Sequence, residues 1–342
     1  MSTASSAQVP LRVGVSALFD PADTPHARTF MRALWVARNF VKGLHNVQWH
    51  FLDDGADPLR GADVARRFID WGADVVIGHF SSDAAVAAAG LYRQAGIALL
   101  TPAATLDRLT LEHDNVFRFC PCDRRLAADL AGWLKTRRWQ VVHIDSDDSA
   151  HGRALAEALK QAAKNTGLRH VSLREQAQVE IFAGRLRTSR QHWHARRLAG
   201  STRPLVLTDD AATPRLGHAP PCDRDIYAIG FGHREAPHCP TAALHRGFFA
   251  EDPDTYYRES LLALHVVGQL ATGARRASCL IEALRETRFE TPSGAVAFER
   301  GERPDAFTRI WRIGETGLIP ADRPTPCVPR QLFCLTSRDE DS

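Results

Sequence analysis

Short apolar runs alternate with amphipathic stretches along most of the chain. The runs that have the length of buried strands lie at 11–18, 47–52, 75–77, 97–100, 140–145, 170–173, 204–208, 225–230, 295–298 and 307–313. The stretches with apolar residues at helical spacing lie at 26–42, 61–71, 83–94, 126–137, 152–165, 182–198, 256–271 and 277–287. Strands and helices that alternate over such short links are typical of βαβ units, so the pattern predicts an α/β protein with parallel sheets.

The pattern runs through twice, which predicts two doubly wound lobes. A chain of 342 residues is also longer than a single hydrophobic core usually supports. The segment 211–240 is rich in Pro, Gly, His and Cys and shows little regular structure beyond the predicted strand at 225–230. The sequence therefore indicates two packed α/β units with one largely irregular segment in the second.

Charge and hydropathy exclude several classes of function. The chain carries 43 Lys and Arg against 40 Asp and Glu, a net charge of +3, which gives no field for nucleic acid. No segment approaches the ~20 apolar residues that cross a membrane, so we expect no membrane insertion. Residues 1–10 lack the basic and apolar regions of a secretory signal, which favours the cytoplasm unless a leader is missing from this chain.

Small hydroxyl residues follow two of the predicted strands. Ser82 comes after the strand at 75–77, and Thr105 comes after the strand at 97–100. The carboxyl ends of parallel strands meet at one edge of a sheet, where open α/β sheets hold ligands. Hydroxyls and free backbone N–H groups there suit a small anion such as a carboxylate.

Catalytic and cofactor motifs are not evident in the sequence. There is no nucleophile elbow, no dinucleotide loop and no phosphate loop, so we expect no enzyme activity and no cofactor. His79 lies inside a predicted strand and is interpreted as a packed residue rather than a base. The seven cysteines have irregular spacing, which fits a reducing compartment, and we expect no metal site.

Two groups of cysteines leave alternatives open. Cys222 with His233, His238 and Cys239 has no standard zinc spacing, and a polar loop with chance cysteines is the favoured interpretation. The Cys-Pro-Cys at 120–122 is not a redox motif, and two half-buried thiols are favoured there.

Three motifs carry a family resemblance: Asp-Asp-Gly-Ala-Asp-Pro at 53–58, Val-Ile-Gly-His-Phe-Ser-Ser at 76–82 and Thr-Pro-Ala-Ala-Thr at 101–105. With these motifs the chain resembles the leucine/isoleucine/valine-binding family of type I periplasmic solute-binding proteins. The likeness is strong from 11 to about 167, weaker from 256 to 318, and poor between 198 and 250.

The resemblance implies a Venus-flytrap fold, in which two lobes joined by three hinge crossings close on a ligand in the cleft. The implied boundaries are 10–119 with 247–290 for the first lobe, 120–246 with 291–320 for the second lobe, and 321–342 for a tail. Exported relatives often have a disulfide at the positions of Ala56 and Ser81, and its absence here also favours the cytoplasm.

The resemblance also implies ligand contacts in the first lobe. Family members hold the ligand's α-carboxylate with the residues that match Ser82, Ala103 and Thr105. The neighbouring Ser81 and Ala104 complete this predicted group. The loop at 19–25, which begins with Phe19, is expected to contribute to the pocket for the ligand's side chain.

In the second lobe, relatives close an aromatic residue over the ligand, and His151 takes that place before Gly152. Amino-acid binders also use an acidic residue there to meet the ligand's ammonium group. Asp209 or Asp210 could serve, although an ordinary strand-end turn explains them equally well.

Two functions follow from this resemblance. The first is a solute receptor that captures an amino-acid-like or other carboxylate and delivers it to an ABC permease, which requires export. The alternative is a cytoplasmic ligand sensor that acts on a protein partner, as in amidase regulators. An enzyme is a distant third, which would be favoured by titratable groups in the cleft with strongly shifted pKa values.

Overall fold

The computed structural model describes residues 9–20, 25–219, 223, 225–231, 240–273, 280–315 and 317–321. The predicted tail at 321–342 falls outside this part of the chain apart from Ala321. So do Cys222, His233, His238 and Cys239, and the possible zinc cluster therefore stays untested.

A parallel sheet forms the first half of the fold. Its strands are β1 (Leu11–Ala17), β2 (Val47–Asp53), β3 (Val75–Ile77), β4 (Ala98–Thr101) and β5 (Val116–Arg118), in the order β2-β1-β3-β4-β5. The helices between them are α1 (His26–Ala37), α2 (Pro58–Trp71), α3 (Ser82–Gln94) and the short α4 (Arg108–Glu112). β3 and β4 are wholly buried, as expected for central strands covered on both faces.

A second sheet follows with the order β12-β11-β10-β9-β8-β6-β7. Its strands are β6 (Val141–Ser146), β7 (Arg169–His170), β8 (Val179–Ala183), β9 (Leu205–Leu207), β10 (Ile226–Phe231), β11 (Thr308–Gly314) and β12 (Gly317–Pro320). The remaining helices are α5 (Asp123–Thr136), α6 (Ala150–Thr166), α7 (Leu186–Leu198), α8 (Pro240–Phe249), α9 (Tyr257–Thr272) and α10 (Leu280–Glu286). β11 and β12 are antiparallel additions to an otherwise parallel sheet.

The chain passes repeatedly between the two sheets. It leaves the first sheet after β5, and α5 packs on α6 and on the second sheet. After β10 the chain returns to the first sheet, where α8 and α9 pack on α1. It crosses to the second sheet again between α10 and β11. The expected α/β fold with two doubly wound halves is confirmed, whereas the exact lobe boundaries stay a prediction.

A glycine allows the chain to pass very close to β1 where β3 ends. Gly78 follows β3 with a φ of +124°, a conformation that other residues rarely adopt. A Cβ atom at this position would lie 2.1 Å from the backbone oxygen of Ser16 at the end of β1. The absence of a side chain at Gly78 therefore lets the chain turn from the sheet edge into α3.

Some predicted elements differ from the structure. The predicted strand pair at 295–298 and 307–313 is wrong, since β11 pairs with β12 and Val296 forms only an isolated bridge to Phe289. The predicted helix at 182–198 begins only at Leu186, because its first residues belong to β8. Strands β5, β8 and β12 and helices α4 and α8 were not predicted.

Among the helices within the described ranges, none combines the length and apolar character needed to cross a bilayer.

Candidate functional site

The carboxyl ends of both sheets face one small cavity. It is lined by His26, Phe80, Ser81, Ser82, Ala103, His151, Arg185, Asp209 and Asp210. Ser81 and Ser82 lie where β3 leads into α3, and Ala103 follows β4. From the other sheet, His151 lies in the first turn of α6 after β6, and the two aspartates follow β9. The site is therefore built at strand ends, where open α/β sheets hold ligands.

The space within the cavity is about 10 Å³, which is room for about one water molecule. The two sheets are thus in close contact around the site. A ligand larger than water can enter only if the groups on its two sides move apart.

The first-sheet side of the cavity presents small polar groups. Ser81 precedes α3 in an extended conformation and makes no side-chain cap hydrogen bond to the helix. Ser82 is the first residue of this helix of 13 residues. Helix N-termini carry unpaired backbone N–H groups and a partial positive charge, so this side of the cavity favours negatively charged ligand atoms.

His151 and Asp209 form a buried ion pair on the opposite side. The Nε2 atom of His151 lies 3.4 Å from Oδ1 of Asp209, and Nδ1 lies 3.4 Å from the hydroxyl of Thr105. Burial alone would lower the pKa of His151, but the charge and contact of Asp209, with help from Asp123 and Asp210, raise it to about 10. His151 therefore places a stable positive charge in the cavity at neutral pH.

Two residues on the side of the first sheet contact the carboxylate of Asp210. His26 Nε2 lies 3.1 Å from Asp210 Oδ1, and the Tyr256 hydroxyl hydrogen-bonds to the same oxygen. The Tyr256 hydroxyl also lies 3.2 Å from Asp209 Oδ2. Burial would raise the pKa of Asp210, but the charge and hydrogen bond of His26, with His151 and Tyr256, lower it to about 2. Asp210 is therefore ionised and bridges the two halves.

A further carboxyl group lies behind the cavity wall. Asp123, the first residue of α5, is 1 % exposed, and neither of its carboxyl oxygens has a hydrogen-bond partner. Burial raises its pKa to about 6, although the charge of His151 acts in the opposite direction. Two buried acceptors, Asp123 and Oδ1 of Asp209, thus lack hydrogen bonds around His151.

Arg185 connects the halves at the rim of the cavity. It precedes α7 in the second half, and its Nη2 atom donates to Oδ2 of Asp83 at 2.7 Å. The same nitrogen donates to the backbone oxygen of Ala56 at 2.9 Å. Both acceptors belong to the first half, so Arg185 spans the opening between the two sheets.

The structure brings most of the predicted site residues to this cavity. Thr105 is fully buried and contacts His151 instead of lining the cavity. Ala104 is buried beneath the surface, where its backbone oxygen accepts from Arg118 at 3.3 Å. Phe19 is 37 % exposed and is not among the lining residues, and positions 21–24 of its loop lie outside the described residues.

Sequence reasoning missed four residues of the site: His26, Phe80, Arg185 and Tyr256. His26 stacks on Phe80, with ring centroids 5.6 Å apart, and meets the edge of Tyr256 at 5.0 Å. The only sequence signal for His26 was its place at the start of a predicted helix after Pro25.

His79 takes part in a separate buried network. Its Nδ1 atom lies 2.8 Å from Oδ2 of Asp54, its Nε2 atom lies 3.0 Å from the Tyr92 hydroxyl, and Ser16 bonds to the same aspartate. These side chains are sealed inside the first half and do not line the cavity. The arrangement matches the interpretation of His79 as a packed residue.

One further group has the geometry of a metal site. Asp107, Cys122 and Glu302 place potential ligand atoms within 4.8 Å of one another. Arg124 and Arg118 already pair with the two carboxylates. Burial raises the pKa of Cys122 to about 11, which keeps the sulfur in the thiol form that binds metals poorly. These contacts favour a structural role for the group.

The N-terminal half of the chain matches a known protein family in sequence. Residues 18–180 match the family described as Periplasmic binding protein. The chain is 32% identical over 133 residues to the Leu/Ile/Val-binding protein homolog 3 of Brucella melitensis, which is 38% of this chain and 36% of that protein. It is 30% identical over 133 residues to the Leu/Ile/Val-binding protein of Escherichia coli K12, 37% and 35% of the two chains. The match thus spans about a third of the length of these curated relatives.

Solved structures extend the likeness in fold to most of the chain. An ABC transporter substrate-binding protein from Desulfitobacterium hafniense in complex with Leu has a TM-score of 0.76 and 20% identity, over 91% of this chain and 99% of that one. A solute-binding protein from R. palustris in complex with benzoate has a TM-score of 0.77 and 14% identity, over 91% and 95%. The chain is thus similar in sequence to periplasmic binding proteins over residues 18–180, and similar in fold to ABC transporter substrate-binding proteins over most of its length.

Proposed function

We propose that this protein is a solute-binding protein of the ABC-transporter type that closes its two halves on a small carboxylate ligand. The observation that supports this most is the cavity itself. Its lining comes from the carboxyl ends of both sheets, with Ser81, Ser82 and Ala103 on one side and His151, Asp209 and Asp210 on the other. A ligand held there touches both halves and so stabilises the closed arrangement over the open one.

The two sides of the cavity suit different parts of a ligand. The hydroxyls of Ser81 and Ser82 and the start of α3 offer donors to a carboxylate, and His151 adds a positive charge. Asp209 Oδ1 lies 3.4 Å from His151 Nε2, close enough for an ion pair but not for a well-formed hydrogen bond, and can also accept from an ammonium or another donor on the ligand. An amino acid presents both groups, and a simple carboxylate presents the first.

The charge state of His151 favours binding over catalysis. The cleft does contain titratable groups with shifted pKa values, which is the signal that would favour an enzyme. A histidine with a pKa of about 10 holds its proton at neutral pH and cannot act there as a general base. The shift arises because Asp209 lies against His151 and stabilises its protonated form.

The proposed function places the protein in the periplasm, where it would pass its ligand to a membrane permease. The similarity of residues 18–180 to periplasmic binding proteins supports this location, and several similar proteins are named as Leu/Ile/Val- or amino-acid-binding proteins. In this proposal the protein binds the permease after its two halves have closed on the ligand.

A thermal-shift screen followed by calorimetry tests the proposal. The probes are branched-chain amino acids, their deaminated carboxylates of the same carbon skeleton, benzoate and short amides. We expect at least one carboxylate to raise the melting temperature by several degrees and to bind with one-to-one stoichiometry.

Variants of the lining residues show whether a ligand found in the screen binds in the cavity. A hit should bind at least tenfold more weakly to Asp209→Asn or Ser82→Ala, and normally to Ser293→Ala, whose residue lies in a turn outside the cavity. A carboxylate that binds all variants equally, or a panel with no binder at all, would refute the proposed function.

A further inference from the structure

The wall of the cavity is strongly polar for a ligand site. Among the nine described residues that line it, Phe80 and Ala103 are apolar, and the others carry hydroxyl, imidazole, guanidinium or carboxylate groups. None of these lining residues is Val, Leu, Ile or Met. Small-molecule sites are usually lined mainly by apolar side chains, with a few polar groups that fix the orientation of the ligand. A ligand held here must therefore offer hydrogen-bonding groups over most of its surface.

The ring of Phe80 is already covered by its neighbours. It stacks on His26 with centroids 5.6 Å apart, and it meets Phe30 edge to face at 5.7 Å. Phe80 is only 1% exposed as a result. Ala103, the other apolar lining residue, adds no more than a methyl group. The described wall thus provides no apolar surface of the size that a branched aliphatic side chain needs.

His26 and Asp210 make an aliphatic group still less suitable. They lie on opposite halves, with His26 Nε2 at 3.1 Å from Asp210 Oδ1, and the opening that the proposed function requires would separate them. Closure on an apolar group would then bury two polar side chains without their partner. Sites built to hydrogen-bond a ligand reject an analogue without the matching group far more strongly than apolar sites reject an extra methylene.

On the second half, His151 and Asp209 place a donor beside an acceptor. His151 lies in the first turn of α6 and Asp209 follows β9, so both stay on the same half when the protein opens. His151 Nε2 and Asp209 Oδ1 are buried and 3.4 Å apart, too far for a well-formed hydrogen bond. Burial would lower the pKa of His151, but Asp209 raises it to about 10, so Nε2 keeps its proton at neutral pH. The pair therefore offers a ligand one N–H group and one carboxylate oxygen.

A carboxamide matches this pair better than a charged group does. Its oxygen can accept from Nε2 of His151 while its NH2 group donates to Oδ1 of Asp209, which is the two-point pairing by which Asn and Gln side chains bind adenine. A second carboxylate at this place would face the negative charge of Asp209, and an ammonium group would face the positive charge of His151. A neutral group with a donor next to an acceptor satisfies both residues at once.

We propose that the ligand is a short carboxylate with a terminal carboxamide. Its carboxylate lies against Ser81 and Ser82 at the start of α3, and its carboxamide pairs with His151 and Asp209. This inference rests on the proposed function and narrows it to one class of carboxylate. Branched-chain amino acids are excluded, because they lack the carboxamide and bring an aliphatic group to a polar wall.

Calorimetry with ligands of matched shape tests the proposal. Succinamate, levulinate and isocaproate share the same carboxylate and chain, and the far end carries a carboxamide, a methyl ketone or two methyl groups. Succinamate should bind the wild-type chain at least about tenfold more tightly than levulinate and at least about a hundredfold more tightly than isocaproate. Succinate, whose second carboxylate faces Asp209, should also bind at least about tenfold more weakly than succinamate.

Asp209→Asn tests the pairing itself. The change removes the charge that repels succinate but keeps an oxygen acceptor, so the preference for succinamate over succinate should fall to near equality. Asp63→Asn, which breaks an exposed pair with Arg66 on α2, should keep the wild-type preference. Circular dichroism establishes that both variants are folded.

The proposal is overturned if succinamate binds no more tightly than levulinate and isocaproate, a result that needs only the wild-type chain. It is also overturned if the preference over succinate survives in Asp209→Asn. The proposed function still stands when leucine, benzoate or isocaproate binds in the cavity in place of succinamate. A complete lack of carboxylate binding overturns both, since the inference rests on that function.

Discussion

The guanidinium of Arg185 lies 2.7 Å from the carboxylate of Asp83, in the other half of the molecule. The two residues are 102 positions apart in sequence, and both side chains are largely buried. Together with the His26–Asp210 contact, this pair joins the two sheets directly across the cavity. The closed arrangement is thus stabilised by the protein's own charges.

Replacing Arg185 with alanine should shift the protein toward an open arrangement. The change removes hydrogen bonds to Asp83 and to the backbone of Ala56, each worth about 1.5–3 kcal/mol where a charged group is involved. Small-angle scattering should show a larger radius of gyration than for wild type. Arg66→Ala, which breaks only an exposed pair within α2, should leave the radius unchanged. Equal radii for all three proteins would contradict a role for Arg185 in closure.

Ser82→Ala and Thr105→Val should both weaken the binding of the ligand identified by the screen, but for different reasons. Ser82 lines the cavity and would contact the ligand, so its hydroxyl is worth ~1.5–3 kcal/mol, or at least a tenfold loss of affinity. Thr105 does not line the cavity, and its hydroxyl lies 3.4 Å from Nδ1 of His151, so Thr105→Val should act by displacing that ring, with a smaller loss. Calorimetry measures both effects. Unchanged affinity in both variants would show that the ligand binds elsewhere.

His151 should remain protonated well above neutral pH. Its pKa of about 10 exceeds the unfolded value of about 6.5, so its contribution to stability is fully present below pH 6.5 and is lost as the pH rises toward 10. Nuclear magnetic resonance of the histidine ring protons, assigned with His151→Gln, reports this directly. His192 is the internal control, since burial lowers its pKa to about 4 and it should be neutral at pH 7. A His151 signal that titrates near pH 6.5 would exclude the ion pair with Asp209.

Asp54→Asn should be strongly destabilising at neutral pH, by about 3–5 kcal/mol, because it removes the charge of Asp54 from its fully buried pair with His79. Burial would raise the pKa of Asp54, but the hydrogen bond and charge of His79, with Ser16, lower it below the ordinary value. The stabilisation is therefore present above about pH 4 and is lost as the pH falls through the lowered folded-state pKa.

Denaturant unfolding at several pH values measures this effect. The difference between wild type and Asp54→Asn should be largest near neutrality and shrink below pH 4. Ligand affinity should be retained by the folded variant, because the network does not line the cavity.

Local patterns predicted the α/β class from the alternation of strands and helices, and they placed Ser82 near the end of β3, where it lines the cavity. They failed at β8, where Glu180 interrupts the apolar run although it is 1 % exposed. Arg196 and Arg203 pair with this glutamate at 3.0 and 3.2 Å. Such buried pairing depends on segments that fold against the strand, and no local periodicity reveals it.

The same dependence on distant segments explains why His26 and Tyr256 were not predicted as site residues. His26 reaches Asp210 over 184 positions, and Tyr256 reaches it over 46. Each is brought to Asp210 by helix packing on the first half. Ser81, Ser82 and Ala103 were predictable because a strand end fixes their position, whereas residues supplied by α1 and by the start of α9 depend on how the halves dock.

The narrowness of the cavity has a kinetic consequence. With room for about one water molecule, the cavity cannot hold a solute in this arrangement. In the proposed function, capture therefore waits for a spontaneous opening in which Arg185 and His26 release their partners. In stopped-flow experiments the observed association rate should therefore level off with increasing solute concentration, at the frequency of those excursions.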